Sequence, residues 1–295
     1  MSSSLHIGIS GWTYAPWRGT FYPKGLKQKD ELAFASRQVN SIEINGSFYS
    51  MQTPKSYLAW RGATPDGFVF AVKGGRYITH LRRLRDVEGP LANFFASGVL
   101  ALGEKLGPIL WQFPPNFKFD EERIESFLAM LPRDTEAAAA MGRKHDAKLK
   151  GRAYLRVASK RPIRYAMEVR HESFQDARFL AVLRRHGVAV VVADTAGKWP
   201  YMEDVTAGFT YVRLHGDEQI YVSGYSDAAL ARWATKIERW KRHGDVYVYF
   251  DNDVKVRSPH DAMVLANLLG LRRGDVMEMS PGMEEAREQW PGVRK

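Results

Sequence analysis

Short apolar runs rich in β-branched residues alternate with amphipathic stretches along the whole chain. Eight of the runs have the length and composition of β-strands, and the stretches between them repeat their apolar residues with helical spacing. The predicted strands cover residues 6–12, 41–49, 68–74, 108–113, 165–171, 189–195, 209–216 and 246–252. The predicted helices cover residues 28–38, 54–63, 93–106, 121–131, 176–186, 227–243 and 261–269. Such alternation predicts a parallel sheet, and eight parallel strands are the number that closes a barrel.

A doubly wound open sheet is the competing arrangement for this pattern. That fold normally carries a phosphate loop of the form G-x-G-x-x-G after its first strand. Here the first strand runs into Gly8-Ile9-Ser10-Gly11-Trp12, which lacks that spacing and leads into further aromatic residues. Because there is no internal repeat and no linker, the sequence predicts one α/β domain over residues 1–295, folded as a (β/α)8 TIM barrel.

Two segments are additional to the eight repeating units. Residues 133–164 lie between the fourth helix and the fifth strand and begin with a helix-forming run of alanines, and residues 275–295 form a tail rich in Glu, Gly and Pro. Residues 143–164 hold nine Lys and Arg residues against one acid, Asp146, and so carry most of the formal net charge of +10. We call residues 143–164 the basic segment.

The basic segment is a candidate nucleic-acid surface, because clustered positive charge neutralises phosphates. The alternative is an ordinary solvated surface with no partner. A connection that leads from a helix to the next strand lies at the amino ends of the strands, opposite the active sites of barrel enzymes. We therefore expect this segment to lie away from any catalytic site.

Composition excludes several classes of protein. The chain has no Cys, which excludes disulfides, thiolate nucleophiles and cysteine-based zinc sites. No run of about 18 apolar residues occurs, so the sequence predicts no membrane partner. The first ten residues lack the basic and apolar parts of a signal peptide, and we expect a cytoplasmic protein.

Polar residues gather at the carboxyl ends of the predicted strands. Alternate residues of a barrel strand face the interior and the helices, and in most strands here one phase is apolar and the other ends in polar groups. These groups are Glu43, Lys73, Glu168, Arg170, Asp194, Arg213, His215 and Asp251. Barrel enzymes carry catalytic groups at this end, but buried charges also pair with one another. The set predicts either an active site or a self-paired network of ions that plugs the barrel.

Seven stretches of the chain resemble those of a known family. They are Gly8-Ile9-Ser10-Gly11-Trp12 with Phe21-Tyr22-Pro23; Ile42-Glu43-Ile44-Asn45 with Phe48-Tyr49; Ile78-Thr79-His80; Gly107-Pro108 with Gln112-Phe113-Pro114; Glu168-Val169-Arg170-His171; Val212-Arg213-Leu214-His215-Gly216; and Tyr249-Phe250-Asp251-Asn252. On these stretches, which extend from the first strand to the eighth, the chain resembles the DUF72 or YecE-like family. The resemblance implies a TIM barrel and brings no established reaction.

Three features depart from that family pattern. Ser173-Phe174 stands where the family usually has a Ser-Trp pair. Asp251-Asn252-Asp253 adds acids where paired asparagines are frequent, which weakens any role borrowed for that position. Residues 133–164 resemble an insertion that only part of the family has.

The candidate catalytic residues are Glu43, Glu168, Asp194 and His215, with Glu168 as a base and His215 as an acid. The candidate anion contacts are Lys73, Arg170, Arg213 and His80, since Arg and Lys bind phosphates and carboxylates. Lys73 is alternatively a Schiff-base lysine. Further candidate substrate contacts are Trp12, Asn45, Tyr49, Gln112 and Asn252.

A divalent metal is the other candidate chemistry. Glu43, Glu168, Asp194 and Asp251 supply oxygen ligands of the kind that suit Mg²⁺ or Mn²⁺, and Zn²⁺ is the third option. The chain has no H-x-H or H-E-x-x-H spacing, and arginines in the same layer repel a cation. The sequence leaves the cofactor open.

These observations predict an enzyme that uses acid–base chemistry in a hydrolysis, an elimination or an isomerisation. Its expected substrate is a phosphorylated or otherwise anionic small molecule, or a nucleic-acid fragment. The alternative is a non-catalytic barrel that binds nucleic acid or a partner protein. The oligomeric state is left open.

Overall fold

Eight parallel strands close into a barrel in the computed structural model, which describes residues 3–253 and 255–271. The strands are β1 Leu5–Ser10, β2 Ser41–Ile44, β3 Val69–Lys73, β4 Leu106–Gln112, β5 Tyr165–Glu168, β6 Ala189–Asp194, β7 Phe209–Leu214 and β8 Asp245–Phe250. They follow one another in chain order around the barrel, and β8 pairs with β1 in parallel from Leu5 opposite Val246 to Ile9 opposite Phe250. The predicted barrel is confirmed, and the open sheet is wrong.

Helices lie between the strands. They are α1 Glu31–Gln38, α2 Gly46–Tyr49, α3 Pro54–Ala63, α4 Glu88–Ala96, α5 Glu121–Met130, α6 Thr135–Gly142, α7 Ala177–His186, α8 Asp227–Lys241 and α9 Arg257–Leu268. Local chemistry sets several of their ends. The Asp120 carboxylate accepts from the Arg123 amide at the start of α5, the Ser226 hydroxyl accepts from the Ala229 amide at the start of α8, and Gly187 ends α7 with a φ of 61°.

Two predicted elements are divided in the structure. The strand predicted over residues 41–49 ends at Ile44, and its last four residues form the short helix α2. The helix predicted over residues 93–106 is α4 followed by a 3₁₀ segment, Val99–Lys105. Gly98 separates them with a φ of 120°, and a Cβ there would lie 2.7 Å from Pro54 Cα. Only glycine fits that conformation and that contact.

Small and aromatic side chains share the barrel interior. Ala71, Ala166, Ala189 and Ala193 leave space that Phe209, Tyr211, Tyr247 and Tyr249 fill. Gly8 belongs to the same inward phase, and a Cβ there would lie 1.7 Å from the Ser41 carbonyl oxygen. A separate apolar layer, which includes Ile9, Val72 and Trp111, packs the outside of the barrel against the helices. The packed interior leaves the carboxyl ends of the strands as the place where polar inward residues meet.

The additional segment before β5 begins with α6, which contains no basic residue. The basic segment follows this helix and contains one short 3₁₀ turn, Ala147–Leu149. The predicted tail, residues 275–295, lies outside the described residues.

Candidate active site at the carboxyl ends of the strands

Arg213, on β7, is the centre of a buried ion network. Its Nη2 donates to Glu43 Oε1 at 2.9 Å and to Asp251 Oδ2 at 2.8 Å, and its Nη1 donates to Glu168 Oε2 at 2.7 Å. Arg213 is fully buried, and Asp251 is 14% exposed. Burial alone would lower the pKa of Arg213, but Glu43, Asp251 and Glu168 raise it well above its ordinary value. The guanidinium therefore stays charged and binds three strand ends together.

The carboxylates of Glu43 and Glu168 have further donors. Glu43 accepts from the Ser10 hydroxyl at 2.9 Å and from the Tyr211 hydroxyl at 2.6 Å. Glu168 Oε1 accepts from Gln112 Nε2 at 2.8 Å and from Arg170 Nε at 2.9 Å. Burial would raise the pKa of Glu168, but Arg213 and Arg170 hold it well below its ordinary value. Glu168 is thus a fixed anion with every oxygen engaged.

His215 lies under this network and has no exposed surface. Its Nδ1 is 3.0 Å from Asp251 Oδ2, and its Nε2 is 3.4 Å from Arg213 Nη1. The ring of Tyr221 stands perpendicular to the imidazole at a centroid distance of 5.3 Å. Tyr221 therefore covers the histidine that the sequence nominates as an acid.

Lys73, at the end of β3, differs from the arginines of this layer. Its side chain is 7% exposed, and its Nζ lies 4.3 Å from the centre of the Phe48 ring. Among the described residues, Lys73 Nζ has no hydrogen bond or ion pair with a side chain. Burial and the charge of Arg213 lower the pKa of Lys73 to about 8, and the carboxylates of the network counteract only part of this. Within the described part of the chain, Lys73 is thus a cation of this layer without a paired anion.

Arg170 and His80 extend the positive edge of the site. The Arg170 guanidinium lies 3.8 Å from the centre of the Trp199 ring, and its Nη2 donates to the Tyr221 hydroxyl at 3.3 Å. His80 Nδ1 is 2.9 Å from the Thr79 hydroxyl. Burial and the charges of Lys73 and Arg170 lower the pKa of His80 to about 4. His80 is therefore neutral at pH 7 and presents a hydrogen-bonding ring rather than a charge.

Tyr14 and Asp253, the second of which sequence reasoning did not nominate, also lie at the site. Ser258 Oγ lies 2.9 Å from Asp253 Oδ1, and the Tyr14 hydroxyl donates to the Ser10 carbonyl at 2.6 Å. Burial and the charge of Asp251 raise the pKa of Asp253 to about 8. Tyr14 and Asp253 follow the ends of β1 and β8, and no strand periodicity reaches them. Ser10 and Tyr211, by contrast, share the inward phase and were predictable from it.

Five nominated residues lie apart from the ion network. Asp194 falls in the helix-facing phase of β6 and accepts from the Tyr225 hydroxyl at 3.0 Å. Trp12 packs against Trp60 and Phe70. Asn252 is fully buried and donates to Asp261 Oδ2 at 2.9 Å and to the Ser223 carbonyl at 3.0 Å. Tyr49 is 69% exposed beside Phe48. Asn45 directly precedes α2, and its buried Oδ1 has no hydrogen-bond partner among the described residues.

The four nominated metal ligands do not assemble. Arg213 takes the position between Glu43, Glu168 and Asp251 that a divalent cation would need, and Asp194 is bound elsewhere. Within residues 3–253 and 255–271, no three His, Asp or Glu side chains are arranged to hold an ion. These residues therefore fit a guanidinium and not a divalent metal.

The comparisons with known proteins agree with this architecture. A sequence profile described as "Protein of unknown function DUF72" matches residues 6–287. The chain belongs to the DUF72 family. The UPF0759 protein YecE of Escherichia coli K12 is 29% identical over 129 residues, which are 43% of this chain and 44% of that relative. The match thus spans less than half the length of this curated relative.

Two solved DUF72 structures are similar over most of the chain. The protein from Thermotoga maritima has a TM-score of 0.72 at 24% identity, over 90% of this chain and 99% of that one. A protein from Enterococcus faecalis has a TM-score of 0.71 at 16% identity, over 92% of this chain and 97% of that one. Likenesses at this level of identity concern the fold alone.

The ion network of this DUF72 protein comes from the stretches that carry the family resemblance. Glu43, Gln112, Glu168, Arg213 and Asp251 each stand in one of those stretches. The motifs at the ends of β2, β4, β5, β7 and β8 are therefore parts of one buried structure.

The basic segment does not lie wholly where we expected it. Arg164 contacts Asp245 at 2.5 Å and the Tyr247 hydroxyl at 2.8 Å, at the amino ends of the strands as predicted. Lys148, however, lies 5.4 Å from the ring of Tyr77, which follows the carboxyl end of β3. The expectation fails for Lys148 because the segment runs along the side of the barrel, where the Tyr154 amide donates to the Ala96 carbonyl.

The described residues also include no helix whose length and apolar character would let it cross a bilayer.

Proposed function

We propose that the mouth of this barrel binds an anionic small molecule through Lys73 and acts on it by acid–base chemistry. One observation carries the proposal: Lys73 is buried near the carboxylates of Glu43, Glu168 and Asp251, yet these carboxylates pair with Arg213 and Arg170 instead. A buried ammonium without a counter-ion is costly, so a ligand that supplies the anion gains affinity there.

Arg170 and His80 support an anion at the same place. Arg170 lies over the Trp199 ring and donates to Glu168, and these two contacts hold its guanidinium in place for a planar or tetrahedral anion. His80 lies close enough to Lys73 and Arg170 for their charges to lower its pKa. A neutral imidazole adjacent to two cations is suited to donate a hydrogen bond without repelling either.

Asp253 is the group whose pKa suits it to proton transfer. Its pKa, raised to about 8, is close to neutral pH, where a group both accepts and releases protons effectively. Glu168 is less suited to the predicted role of base, because three hydrogen bonds, from Gln112, Arg170 and Arg213, hold it ionised. In this proposal Glu168 positions Arg170, Arg213 and Gln112, Lys73 holds the anion and Asp253 exchanges the proton. A hydrolysis, an elimination or an isomerisation is compatible with such groups.

A non-catalytic binding barrel is the second candidate, and one observation favours it. Tyr221 covers His215 and Trp199 covers Arg170, so aromatic side chains screen part of the mouth. Exposed cations of the basic segment, among them Lys144, Lys150, Arg152 and Arg156, would then be the binding surface. Nucleic-acid binding remains a prediction.

A thermal-shift screen distinguishes the two functions. Wild type and Lys73→Met are melted with inorganic phosphate, glycerol 3-phosphate and malate, and separately with Mg²⁺, Mn²⁺ and Zn²⁺. We expect at least one anion to raise the Tm of wild type, since a ligand at 100 times its Kd adds about 2.7 kcal/mol, and we expect Lys73→Met to lose the shift. Lys118→Met, which alters an exposed lysine, is the matched control. An equal anion-induced shift of Tm in wild type and in Lys73→Met would contradict the proposal.

A further inference from the structure

A concave surface lies beside the mouth, between α2 and the segment that follows β3. It encloses a cavity of about 380 Å³, within the range of small-molecule sites. Its walls are largely apolar and include Phe48, Tyr49, Met51, Tyr77, Ile78 and Leu81. Phe48 separates it from Lys73, so the cavity is adjacent to the mouth but is not part of the ion network.

Exposed apolar side chains concentrate at this cavity. Eight large apolar residues of the described chain are strongly exposed, and four of them line it: Tyr49 at 69%, Met51 at 45%, Tyr77 at 44% and Leu81 at 61%. Single exposed apolar residues are ordinary, whereas a contiguous group around a concavity indicates a binding surface.

The charged residues that line the cavity are cations, and one acid, Asp146, lies beside them, with its Oδ2 4.0 Å from Lys148 Nζ. Arg76 and Lys148 line it, and none of its lining residues is Asp or Glu. Lys148 belongs to the basic segment and stands over the Tyr77 ring at 5.4 Å. The Asp146 amide donates to Asn93 Oδ1 at 2.9 Å, which anchors this part of the segment to α4. The basic segment thus places Lys148 near the carboxyl end of β3, although its position in the sequence, before β5, predicts a place at the amino ends of the strands.

The backbone of this wall is unusual. Tyr77–Leu81 form a π-helical turn, a form that is rare and frequently occurs at functional sites. Arg83, Leu84 and Asp86, which follow it, have φ values of 51°, 65° and 48°. Left-handed conformations are costly for these residue types and persist only where the surrounding structure imposes them.

We propose that this cavity binds an amphipathic anion, a small molecule with an aromatic or acyl body and an acidic group. The apolar wall receives the body, and Arg76 and Lys148 receive the acidic group. The site is distinct from the anion site at Lys73 and does not depend on the proposed function. A polar anion such as phosphate would not use the apolar wall, and a neutral apolar molecule would not use the two cations.

Two fluorescent probes test this assignment: 1-anilinonaphthalene-8-sulfonate, which is aromatic and anionic, and N-phenyl-1-naphthylamine, its neutral counterpart. We expect the sulfonate to bind wild type saturably and Leu81→Ser to weaken it by about tenfold through the loss of apolar contact. Lys148→Gln should weaken the sulfonate by about threefold and leave the neutral probe unchanged. Leu81 is exposed, so its variant is expected to fold, and Met51→Ser provides a second variant of the same wall.

Matched variants outside the cavity define the controls. Leu58→Ser alters another exposed apolar residue and Lys144→Gln alters another exposed cation of the basic segment; both should leave sulfonate binding unchanged. Unsaturable binding in wild type, or unaltered binding in both Leu81→Ser and Met51→Ser, overturns the proposal. A dimer in sedimentation velocity that Leu81→Ser dissociates also overturns it, because the cavity would then be an interface between two copies.

Discussion

Arg213 Nη1 and Glu168 Oε2 lie 2.7 Å apart although their strands, β7 and β5, are separated by β6. The inward residues of β6 include Val191 and Ala193, which are short enough to let the two long side chains meet over them. Alternate strands of a barrel contribute to the same interior layer, and this pair is an example. The meeting of Glu168 with Arg213 follows from their phase in the sequence and is confirmed by the distance.

Replacing Glu168 tests how far this pair supports the fold. Glu168→Gln keeps the shape but leaves Arg170 and one side of Arg213 without a counter-ion in a buried place. We expect a loss of about 3–5 kcal/mol in the free energy of unfolding, measured by urea denaturation. Glu104→Gln, which alters the exposed pair with Arg61, should cost less than about 1 kcal/mol. If Glu168→Gln lost as little free energy of unfolding as this control, water would have to solvate the ion network.

The pH dependence of the same variant gives an independent check. The pKa of Glu168 is lowered well below 4.5, so its ionised form favours folding. That contribution is complete above the unfolded pKa and is lost as pH falls from about 4.5 towards the folded pKa. The stability difference between wild type and Glu168→Gln should therefore narrow below about pH 4.5 in urea melts. A difference that stays constant down to low pH would contradict the lowered pKa.

Lys73→Met is expected to stabilise the protein at pH 7. Burial lowers the pKa of Lys73 from 10.5 to about 8, so its charge opposes folding at neutral pH. Allowing for the lost contact with Phe48, we expect a gain of about 2 kcal/mol. Since the unfolded chain binds the proton more tightly, wild-type stability should rise between about pH 8 and 10.5, and the variant should lack this rise. Lower stability of Lys73→Met at pH 7 would show that the ammonium is paired in solution.

Asp253→Asn should alter the pH dependence of stability below about pH 8, whereas Lys73→Met alters it above about pH 8. The pKa of Asp253 is raised from 3.8 to about 8, so the folded state retains a proton that the unfolded state releases. Its contribution to wild-type stability falls as pH rises from about 4 to 8, with a slope of at most about 1.4 kcal/mol per pH unit. Chemical denaturation across this range should show a flatter profile for Asp253→Asn. Identical profiles would remove Asp253 as the proton-exchanging group.

Charge reversal in the basic segment tests the nucleic-acid prediction. Changing Lys144, Lys150, Arg152 and Arg156 to Glu should weaken any binding of duplex DNA or RNA and reduce its dependence on salt, because fewer counterions are released. The response of the mouth to small anions should be unchanged, since none of these four residues is part of the ion network. Titrations at several salt concentrations measure the first effect, and thermal shifts measure the second. Loss of nucleic-acid binding together with loss of the response to small anions would place these residues at the mouth.

The sequence by itself determined the barrel and most of the ion network. Alternation between strand and helix patterns set the eight units, and the period of two along each strand assigned Glu43, Glu168, Arg213 and Asp251 to the interior. Those assignments follow from backbone geometry, which is local and does not depend on the partners a residue meets. Asp194 shows that a position at the end of a strand is not sufficient to place a residue in the network. It is the last residue of β6, but its phase directs it towards the helices, where it accepts from the Tyr225 hydroxyl.

Only the tertiary structure decided which charges pair and which surfaces meet. No local pattern states that Arg213 satisfies three carboxylates while Lys73 pairs with none in the described structure, since this depends on side chains at the ends of β2, β5 and β8 converging at one point. The same holds for Asp253, whose pKa is set by its neighbours across space, and for Lys148, which reaches Tyr77 from a segment 71 positions further along the chain. Periodicity fixes the direction of a side chain from its own backbone, whereas pairing and burial are fixed by contacts between residues distant in sequence.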